Sequence, residues 1–221
     1  MPSPQQIAIY GAGGFGREVA WLLSEREDAG EVNVSCFIED GLVVKRVLNG
    51  KPVLSFDDFR ARNDDALLAI AVGDPRSRRH LAAKSEAAGY AFATLIHRSV
   101  QKSEFVQIGS GAIICAGSII TVNITIARHA HINLDCTIGH DVRIGDFATI
   151  APGVHVSGNV HIGCGAYIGT GATIVNGSSD QPLLIGEGAV IAAGACVTKS
   201  TAANALYAGI PAVIKKEVPE W

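Results

Sequence analysis

The chain has 221 residues, room for two small domains or one large one, and its 48% hydrophobic composition predicts a globular protein with a generous core. Its formal charge of −3 provides no general basic field for a nucleic-acid partner. No apolar run approaches the roughly 18 residues of a membrane span, so we expect no membrane partner. Because no leader-like segment opens the chain and the five cysteines form no CxxC pair, we expect a reducing, cytoplasmic location.

The N-terminal region carries a glycine-rich turn between a strand and a helix. The short apolar strand Ile7–Tyr10 leads directly into this turn, and a helical pattern follows. In such a turn the glycines allow a tight bend and a close backbone approach, and the helix N-terminus favours an anion. The candidate contacts to nucleotide phosphates are Gly11, Gly13 and Gly16. A tight turn without a ligand is the alternative that the pattern leaves open.

An acidic pair follows the second strand. The segment Asn33–Ile38 is predicted to be extended and ends in Glu39 and Asp40. In nucleotide-binding domains of this type an acidic residue at the end of the second strand contacts the ribose. Glu39 and Asp40 are therefore candidates for contact with a ribose or a base.

A third strand is predicted at Ala66–Val72, an uninterrupted apolar run typical of a buried parallel strand. A helix from about residue 75 to residue 89 follows and carries Arg76, Arg78 and Arg79. These arginines contact a phosphate in one interpretation and lie on a solvated helix face in the other. We expect Thr94–Ile96 to be the last strand of an N-terminal domain at 1–97, which has room for only half of a doubly wound fold.

The second region is organised by a six-residue repeat. From Ile108 to Ile174 a β-branched aliphatic residue occupies every sixth position without a slip, and the register returns at 185, 191 and 197 after an insert at 177–184. A fixed period of six is typical of a parallel β-helix, in which each hexad is one short strand and a corner. Fifteen hexads predict about five three-sided coils over a domain at 98–221.

The residue types fit this architecture. A side chain that points into a narrow prism must be apolar and stiff, which suits β-branched residues, while glycine and asparagine supply the left-handed backbone of the corners. At the C-terminal end, Tyr207–Ala212 breaks the repeat and Pro211 cannot join an ordinary ladder. We expect a loop and cap there, because the open end of a β-helix must be covered.

One hexad, 138–143, departs from the small polar corners of the others. It carries His140 and Asp141, and the alternation places His140 at or near a corner, facing outward. An exposed imidazole beside a carboxylate can serve as a general base. A contact between the two requires a corner, since neighbours in an extended chain point apart. An ordinary surface histidine is the alternative.

Four other histidines lie outside the inward positions of the repeat and raise the question of a zinc site. Histidines from neighbouring coils can hold zinc, as they do in β-helical carbonic anhydrases. The spacing here does not reproduce the tight pair and distant third ligand of those enzymes, so we expect no metal. The four are His129, His131, His155 and His161.

Two features together resemble one known family. A short Rossmann-like domain that opens with IAIYGAGGFGRE at 7–18 is joined to hexads that include NLDCTIGHD at 133–141. This combination resembles the bacterial hexapeptide-repeat sugar acyltransferases, which include nucleotide-amino-sugar N-acetyltransferases and sialic-acid O-acetyltransferases. The resemblance covers about 7–216. It implies an α/β, Rossmann-like half-domain followed by a left-handed parallel β-helix, and the hand rests on the resemblance alone.

The resemblance also implies roles for individual positions. His140 matches the catalytic base of the family and Asp141 its acidic neighbour, while Asn133 matches a residue near the sugar. The glycine turn would approach the phosphates of the nucleotide, with Glu39 or Asp40 near its base or ribose. Positions that match the coenzyme A groove are Gly158, Ala208, Gly209 and Pro211.

Three positions depart from the family pattern. Phe15 stands where many members have histidine, and Arg98 stands where many have proline. Thr149 stands where some members carry a second histidine near the thioester. The last departure implies a different donor to the thioester carbonyl, such as a backbone N–H.

We interpret the sequence as an acetyl-CoA-dependent N-acetyltransferase for a nucleotide-linked 4-amino sugar in surface-glycan biosynthesis. The family places coenzyme A between two helices of a trimer, so a homotrimer is expected. An O-acetyltransferase acting on a sugar or sialic acid is the closest alternative, and a non-catalytic β-helical nucleotide-sugar-binding protein is the third. The insert at 177–184 covers coenzyme A or a neighbouring subunit, or is a passive loop.

Overall fold

A computed structural model describes residues 3–41, 44, 46–62 and 65–221. The chain divides into two compact units. The first consists of Met1–Gly73 and His80–Ala93, and the second of Asp74–Arg79 and Thr94–Trp221.

The first unit is built on a five-stranded sheet with the order β3-β4-β2-β1-β5. Strand β1 lies between β2 and β5 and runs parallel to both, and β3 pairs antiparallel with β4. The three strands predicted here are confirmed, whereas β3, β4 and the short helix α2 were not anticipated. Its elements are β1 (Gln5–Tyr10), α1 (Gly14–Asp28), β2 (Val32–Ile38), β3 (Arg46–Leu48), β4 (Lys51–Leu54), α2 (Phe56–Ala61) and β5 (Leu67–Ile70). Helix α3 (Pro75–Ala87) follows, and its residues from His80 onward belong to this unit.

The second unit is a parallel β-helix, as the repeat predicts. Its strands form three sheets. Before the insert at 177–184 each strand pairs in register with the one 18 residues further along the chain, as Ile120 does with Ile138 and Ile138 with Val156, and the pairs that span the insert are 23 residues apart. The side chains at every sixth position are buried in one continuous core. The strands are β6 (Leu95–Ile96), β7 (Gln101–Lys102), β8 (Val106–Ile108), β9 (Ile113–Ile114), β10 (Ile119–Ile120), β11 (Ile124–Ile126), β12 (His131–Ile132), β13 (Thr137–Ile138), β14 (Arg143–Ile144), β15 (Thr149–Ile150), β16 (His155–Val156), β17 (Val160–Ile162), β18 (Tyr167–Ile168), β19 (Thr173–Ile174), β20 (Leu183–Ile185), β21 (Val190–Ile191), β22 (Cys196–Val197), β23 (Ala205–Ala208) and β24 (Val213–Glu217).

The corners of the β-helix repeat as strictly as its strands. From 111 to 171 every sixth residue has a positive φ, between 54° and 77°. Glycine, asparagine and aspartate tolerate this left-handed backbone, and they occupy nine of these eleven corners. The two exceptions are His129 and Phe147, whose rings stack on each other with centroids 5.0 Å apart.

One prediction about the ends of the β-helix was wrong, and the predicted cap is present but is not a plain loop. The strand Leu95–Ile96 does not close the N-terminal sheet but pairs with Ile113–Ile114, so it forms the first rung of the β-helix. At the other end, Ala205–Ala208 still pairs with β21, and the chain then returns as the antiparallel strand Val213–Glu217. The cap is therefore a hairpin that turns at Gly209–Pro211, because a strand beyond the bend can still bond to the outer edge of β23.

Candidate active site

His140 and Asp141 lie at one corner of the β-helix and contact each other. Nδ1 of His140 is 2.8 Å from Oδ2 of Asp141, and Nδ2 of Asn123 donates a hydrogen bond of 3.2 Å to Oδ1 of the same carboxylate. The contact between adjacent side chains is possible because Asp141 has a φ of 58°, which turns its carboxylate back toward the imidazole. The His140 side chain is 57% exposed, so a substrate can reach the imidazole from solvent.

Three successive coils build this corner. Val122, His140 and Gly158 occupy one register position, 18 residues apart, and backbone hydrogen bonds fix the stack: the Asp141 N–H donates to the Val122 carbonyl and the Asn159 N–H to the His140 carbonyl. The imidazole of His140 lies directly against Gly158, since a Cβ atom at Gly158 would overlap the ring. Glycine at this position therefore makes room for the ring.

The hydrogen bonds settle the charge state of the carboxylate. The bond from His140, followed by the bond from Asn123, lowers the pKa of Asp141 below its ordinary value, so the carboxylate is ionised at neutral pH. An ionised carboxylate only accepts hydrogen bonds, which places the proton of the neutral imidazole on Nδ1. Nε2 then carries the lone pair and is the atom able to take a proton from an acceptor.

A polar groove of about 450 Å³ runs from this corner over the adjacent sheet. Asp141, Arg143 and His161 line it, and burial, together with the charge of Arg143, lowers the pKa of His161. Residues of the insert at 177–184 contribute the far wall through Ser178, Ser179 and Pro182. The insert is thus part of the lining of a groove that begins at the predicted base.

Asn133, predicted to lie near the sugar, is almost fully buried in the β-helix. Its Nδ2 donates a 3.0 Å hydrogen bond to the Ile150 carbonyl, and its backbone carbonyl accepts one from the Ser118 hydroxyl. The structure therefore gives its amide nitrogen an internal partner in the next coil.

The predicted coenzyme A residues of the C-terminal segment lie at the turn of the capping hairpin. Ala208 ends β23, Gly209 has a φ of 103° that suits glycine, and its carbonyl accepts a hydrogen bond from the Cys196 N–H. Pro211 follows within the turn, beside the exposed Ile210. These residues form an edge of the β-helix near strand β22.

In the N-terminal unit, the glycine turn has the geometry that the fingerprint requires. A Cβ atom at Gly11 would meet the Ala71 carbonyl oxygen at 2.6 Å, and one at Gly16 would overlap the Gly11 carbonyl oxygen. Gly13, the N-cap of α1, has open space around it and no side chain caps the helix. Two glycines are therefore needed for packing, and the third leaves the helix N-terminus open to a ligand.

The acidic pair beyond β2 is engaged within this unit. Asp40 accepts a 2.8 Å hydrogen bond from the Tyr10 hydroxyl and forms an ion pair with Lys84 at 2.9 Å. Glu39 pairs with Arg46 at 2.7 Å. Both carboxylates remain at least 38% exposed, so each can also meet a ligand.

Neither interpretation of Arg78, as a phosphate contact or as a solvated residue, is correct. It is fully buried and belongs to the second unit, where it donates hydrogen bonds to the carbonyls of His129, Phe147 and Ala148 and to the Thr149 hydroxyl. Burial lowers its pKa to about 9, which leaves the guanidinium charged at neutral pH. Thr149, where the resemblance leads us to expect a second histidine in some members, is therefore buried under this guanidinium.

The remaining histidines are dispersed. His129 and His131 are buried, although they point away from the β-helix core, whereas His155 is exposed and bonds to the Thr137 hydroxyl. Among the residues that the structure describes, no three His, Cys, Asp or Glu side chains converge as metal ligands would. In the same residues no helix is both long and apolar enough to cross a bilayer.

Comparison with known proteins matches both units. Residues 6–85 match the family model described as the PglD N-terminal domain. A GDP-perosamine N-acetyltransferase of Escherichia coli O157:H7 is 36% identical over 129 residues, which make up 57% of this chain and 58% of that enzyme.

Solved structures match almost the whole chain. WeeI from Acinetobacter baumannii AYE superposes with a TM-score of 0.87 at 38% identity, over 96% of this chain and all of that one. A histidine-to-asparagine mutant of perosamine N-acetyltransferase from Caulobacter crescentus, solved with CoA and GDP-perosamine, has a TM-score of 0.86 at 28% identity, over 96% and 97% of the two chains. The predicted fold class, a Rossmann-like half-domain and a left-handed β-helix, is confirmed.

Proposed function

Because this chain belongs to the hexapeptide-repeat sugar acyltransferases, we propose that it transfers the acetyl group of acetyl-CoA to the amine of a nucleotide-linked 4-amino sugar. The observation that carries the proposal is the exposed His140 with its Nδ1 held by an ionised Asp141. Relatives named as N-acetyltransferases of GDP-perosamine favour an amine over a hydroxyl as the acceptor, and they make GDP-perosamine the first sugar to test.

The reaction needs a base in the position that His140 occupies. The amine nitrogen attacks the thioester carbonyl carbon, and Nε2 of His140 takes a proton from that nitrogen. The C–S bond then breaks, and the departing sulfur receives the proton. A general base of this kind contributes about 10²–10⁴-fold to the rate. Because Thr149 is buried under Arg78, we assign the donor to the thioester oxygen to a backbone N–H rather than to this side chain.

The two units divide the binding of substrates in this proposal. The phosphates of the nucleotide bind at the glycine turn formed by Gly11, Gly13 and Gly16, and its ribose or base lies toward Glu39 and Asp40. Asn133 lies on the sugar side of the reaction. Gly158 and the hairpin turn at 208–211 border the coenzyme A groove, which we place between two β-helices of a homotrimer.

Apolar side chains left exposed on the β-helix, Ile119 at 41% and Phe105 at 61%, support such an assembly. The five free cysteines support a cytoplasmic location.

The test is a thiol-release assay with acetyl-CoA and a panel of GDP-, UDP- and dTDP-linked 4-amino sugars, with free sialic acid alongside. We expect turnover of one amino sugar, a loss of about 10²–10⁴-fold in His140→Ala, and an unchanged rate in His80→Ala, which removes another exposed histidine. Turnover of sialic acid alone would replace N-acetylation by O-acetylation. A near-wild-type rate in His140→Ala would overturn the role of His140 as the base. Absence of any turnover and of coenzyme A binding would favour a non-catalytic binding protein.

A further inference from the structure

The base at His140 is the end of a short chain of side chains that begins one coil earlier. Asn123 lies 18 residues before Asp141, at the equivalent corner, and its Nδ2 donates to Oδ1 of Asp141 at 3.2 Å. The second carboxylate oxygen, Oδ2, faces Nδ1 of His140 at 2.8 Å. Each oxygen of the carboxylate thus has one partner, and the two partners lie on different coils.

We propose that Asn123 is a positioning residue for the acetyl transfer, which acts through Asp141 to hold the imidazole of His140 in its reactive orientation. The inference rests on the proposed function and deepens it. Without Asn123, the carboxylate has a single partner and can rotate about its Cβ–Cγ bond, because the Asp141 side chain is 47% exposed and no other neighbour fixes Oδ1 among the hydrogen bonds of the described residues. His140 would then lose the constraint that directs Nε2 at the acceptor.

The competing explanation is that asparagine is present only for its backbone. Asn123 has a φ of 56°, in the left-handed region that asparagine, aspartate and glycine all tolerate. A purely conformational role therefore predicts that Asn123→Asp and Asn123→Gly are both harmless. The positioning role predicts that both impair catalysis, because glycine has no side-chain donor and an ionised aspartate only accepts hydrogen bonds.

Aspartate at this position should be the worse of the two. It keeps the size of asparagine but places a second carboxylate against Asp141, which raises the pKa of Asp141 and competes for the same space. The other titratable groups beside Asp141 are His140 and, along the groove, Arg143 and His161. None of the three is replaced by the substitution, so a shift in the acid limb of the pH profile of kcat/KM can be traced to the added carboxylate.

The experiment measures kcat and KM of wild type, Asn123→Gly, Asn123→Asp and the control Asn49→Gly with acetyl-CoA and the accepted sugar. Asn49 is a left-handed asparagine in the hairpin of the N-terminal unit. We expect kcat to fall about tenfold in Asn123→Gly and further in Asn123→Asp, with both KM values within about twofold of wild type. The acid limb of Asn123→Asp should move to higher pH, and Asn49→Gly should retain full activity.

A double-mutant cycle tests whether the effect passes through Asp141. In an Asp141→Ala background, Asn123→Gly should cause no further loss, since the group it anchors is gone. Additive losses, or wild-type kcat in both single variants, would overturn the proposal. Failure of the proposed function is distinguishable, because it would show as a wild-type enzyme without amino-sugar turnover or an active His140→Ala, whereas failure of this inference leaves both of those results as expected.

Discussion

Two columns of corners in the same β-helix are put to opposite uses. The polar corner consists of Asn123, Asp141 and Asn159, and the aromatic corner of Gly111, His129, Phe147 and Gly165. Both follow the same 18-residue spacing, and the non-glycine members of both have φ values between 54° and 58°. The Asp141 side chain is 47% exposed, whereas His129 is 1% and Phe147 6% exposed. The backbone repeat therefore fixes where a side chain leaves the coil, and the neighbours decide what it does there.

Packing explains why bulky residues occupy the left-handed backbone of the aromatic corner. The His129 ring fills the space beside Gly111 and stacks on Phe147, and the Trp221 ring fills the space beside Gly165. The carbonyls of His129 and Phe147 both accept hydrogen bonds from Arg78. Gly111 and Gly165 thus leave room for aromatic rings of other residues. Gly158, next to the polar corner, leaves room for the His140 ring in the same way.

The largest expected effect is on the aromatic corner. Arg78→Ala should lower the free energy of unfolding by about 4 kcal/mol, because it removes the buried donor that the His129 and Phe147 carbonyls and the Thr149 hydroxyl share. Arg79→Ala is the matched control: Arg79 is exposed and lies 4.3 Å over the Trp221 ring, so its loss should be about 1 kcal/mol or less. Urea unfolding of the two variants measures the difference, and equal losses would contradict the anchoring role of Arg78.

The second prediction concerns acid stability. Burial, followed by the charges of Arg128 and Arg78, lowers the pKa of His129 from 6.5 to about 4. The unfolded chain therefore binds a proton near pH 6.5 that the folded chain rejects until near pH 4, so stability falls as the pH drops through this window, by about 3 kcal/mol. His129→Asn, which also suits the left-handed corner, should lose less stability between pH 7 and pH 4 than wild type.

The measurement for His129 is urea unfolding at several pH values, with His80→Asn as the control for an exposed histidine. His80→Asn should follow the wild-type curve. An acid-induced loss in His129→Asn that equals that of wild type would show that other groups cause it.

The smallest effect in free energy falls on the polar corner. Gly158→Ala places a methyl group where the His140 ring lies, and the displaced imidazole should lower kcat about 100-fold, or about 2.7 kcal/mol, with little change in stability. Gly171→Asn, which adds a side chain at a left-handed corner with open space that asparagine also tolerates, should keep its activity. A rise in the KM for acetyl-CoA at unchanged kcat would show instead that the methyl group blocks coenzyme A and leaves His140 in place.

The sequence was most informative where apolar side chains recur at a fixed spacing. Every sixth residue from Ile114 to Ile174 is an aliphatic side chain buried in the core, because a slip of one residue would expose the whole apolar set. The exposure of His140 followed from the same alternation, whereas its contact with Asp141 depended on a corner geometry that the pattern did not reveal. The glycine turn was recognisable because close backbone packing at Gly11 and Gly16 admits no other residue.

Other features had no local signal. Arg78 looks like any arginine on a helix, and its burial depends on carbonyls more than 50 residues away in sequence. The strand Leu95–Ile96 lies in register with the hexads, but Lys102 replaces the aliphatic residue of the next hexad and hides the continuity. Asn123 was missed because a corner asparagine is already explained by its backbone.

By itself the amino-acid sequence determined the β-helix, its register, the glycine turn and the outward direction of His140, because these follow from side-chain size, stiffness and backbone freedom at fixed spacing. Only the tertiary structure decided which corner belongs to the candidate active site and which stabilises the fold. It brought Asn123, Asp141 and Gly158 from three coils around one imidazole. It also placed Arg78 over the carbonyls of another corner. Those contacts join residues far apart in the chain, and their strength depends on burial and on hydrogen-bond geometry, which no local pattern encodes.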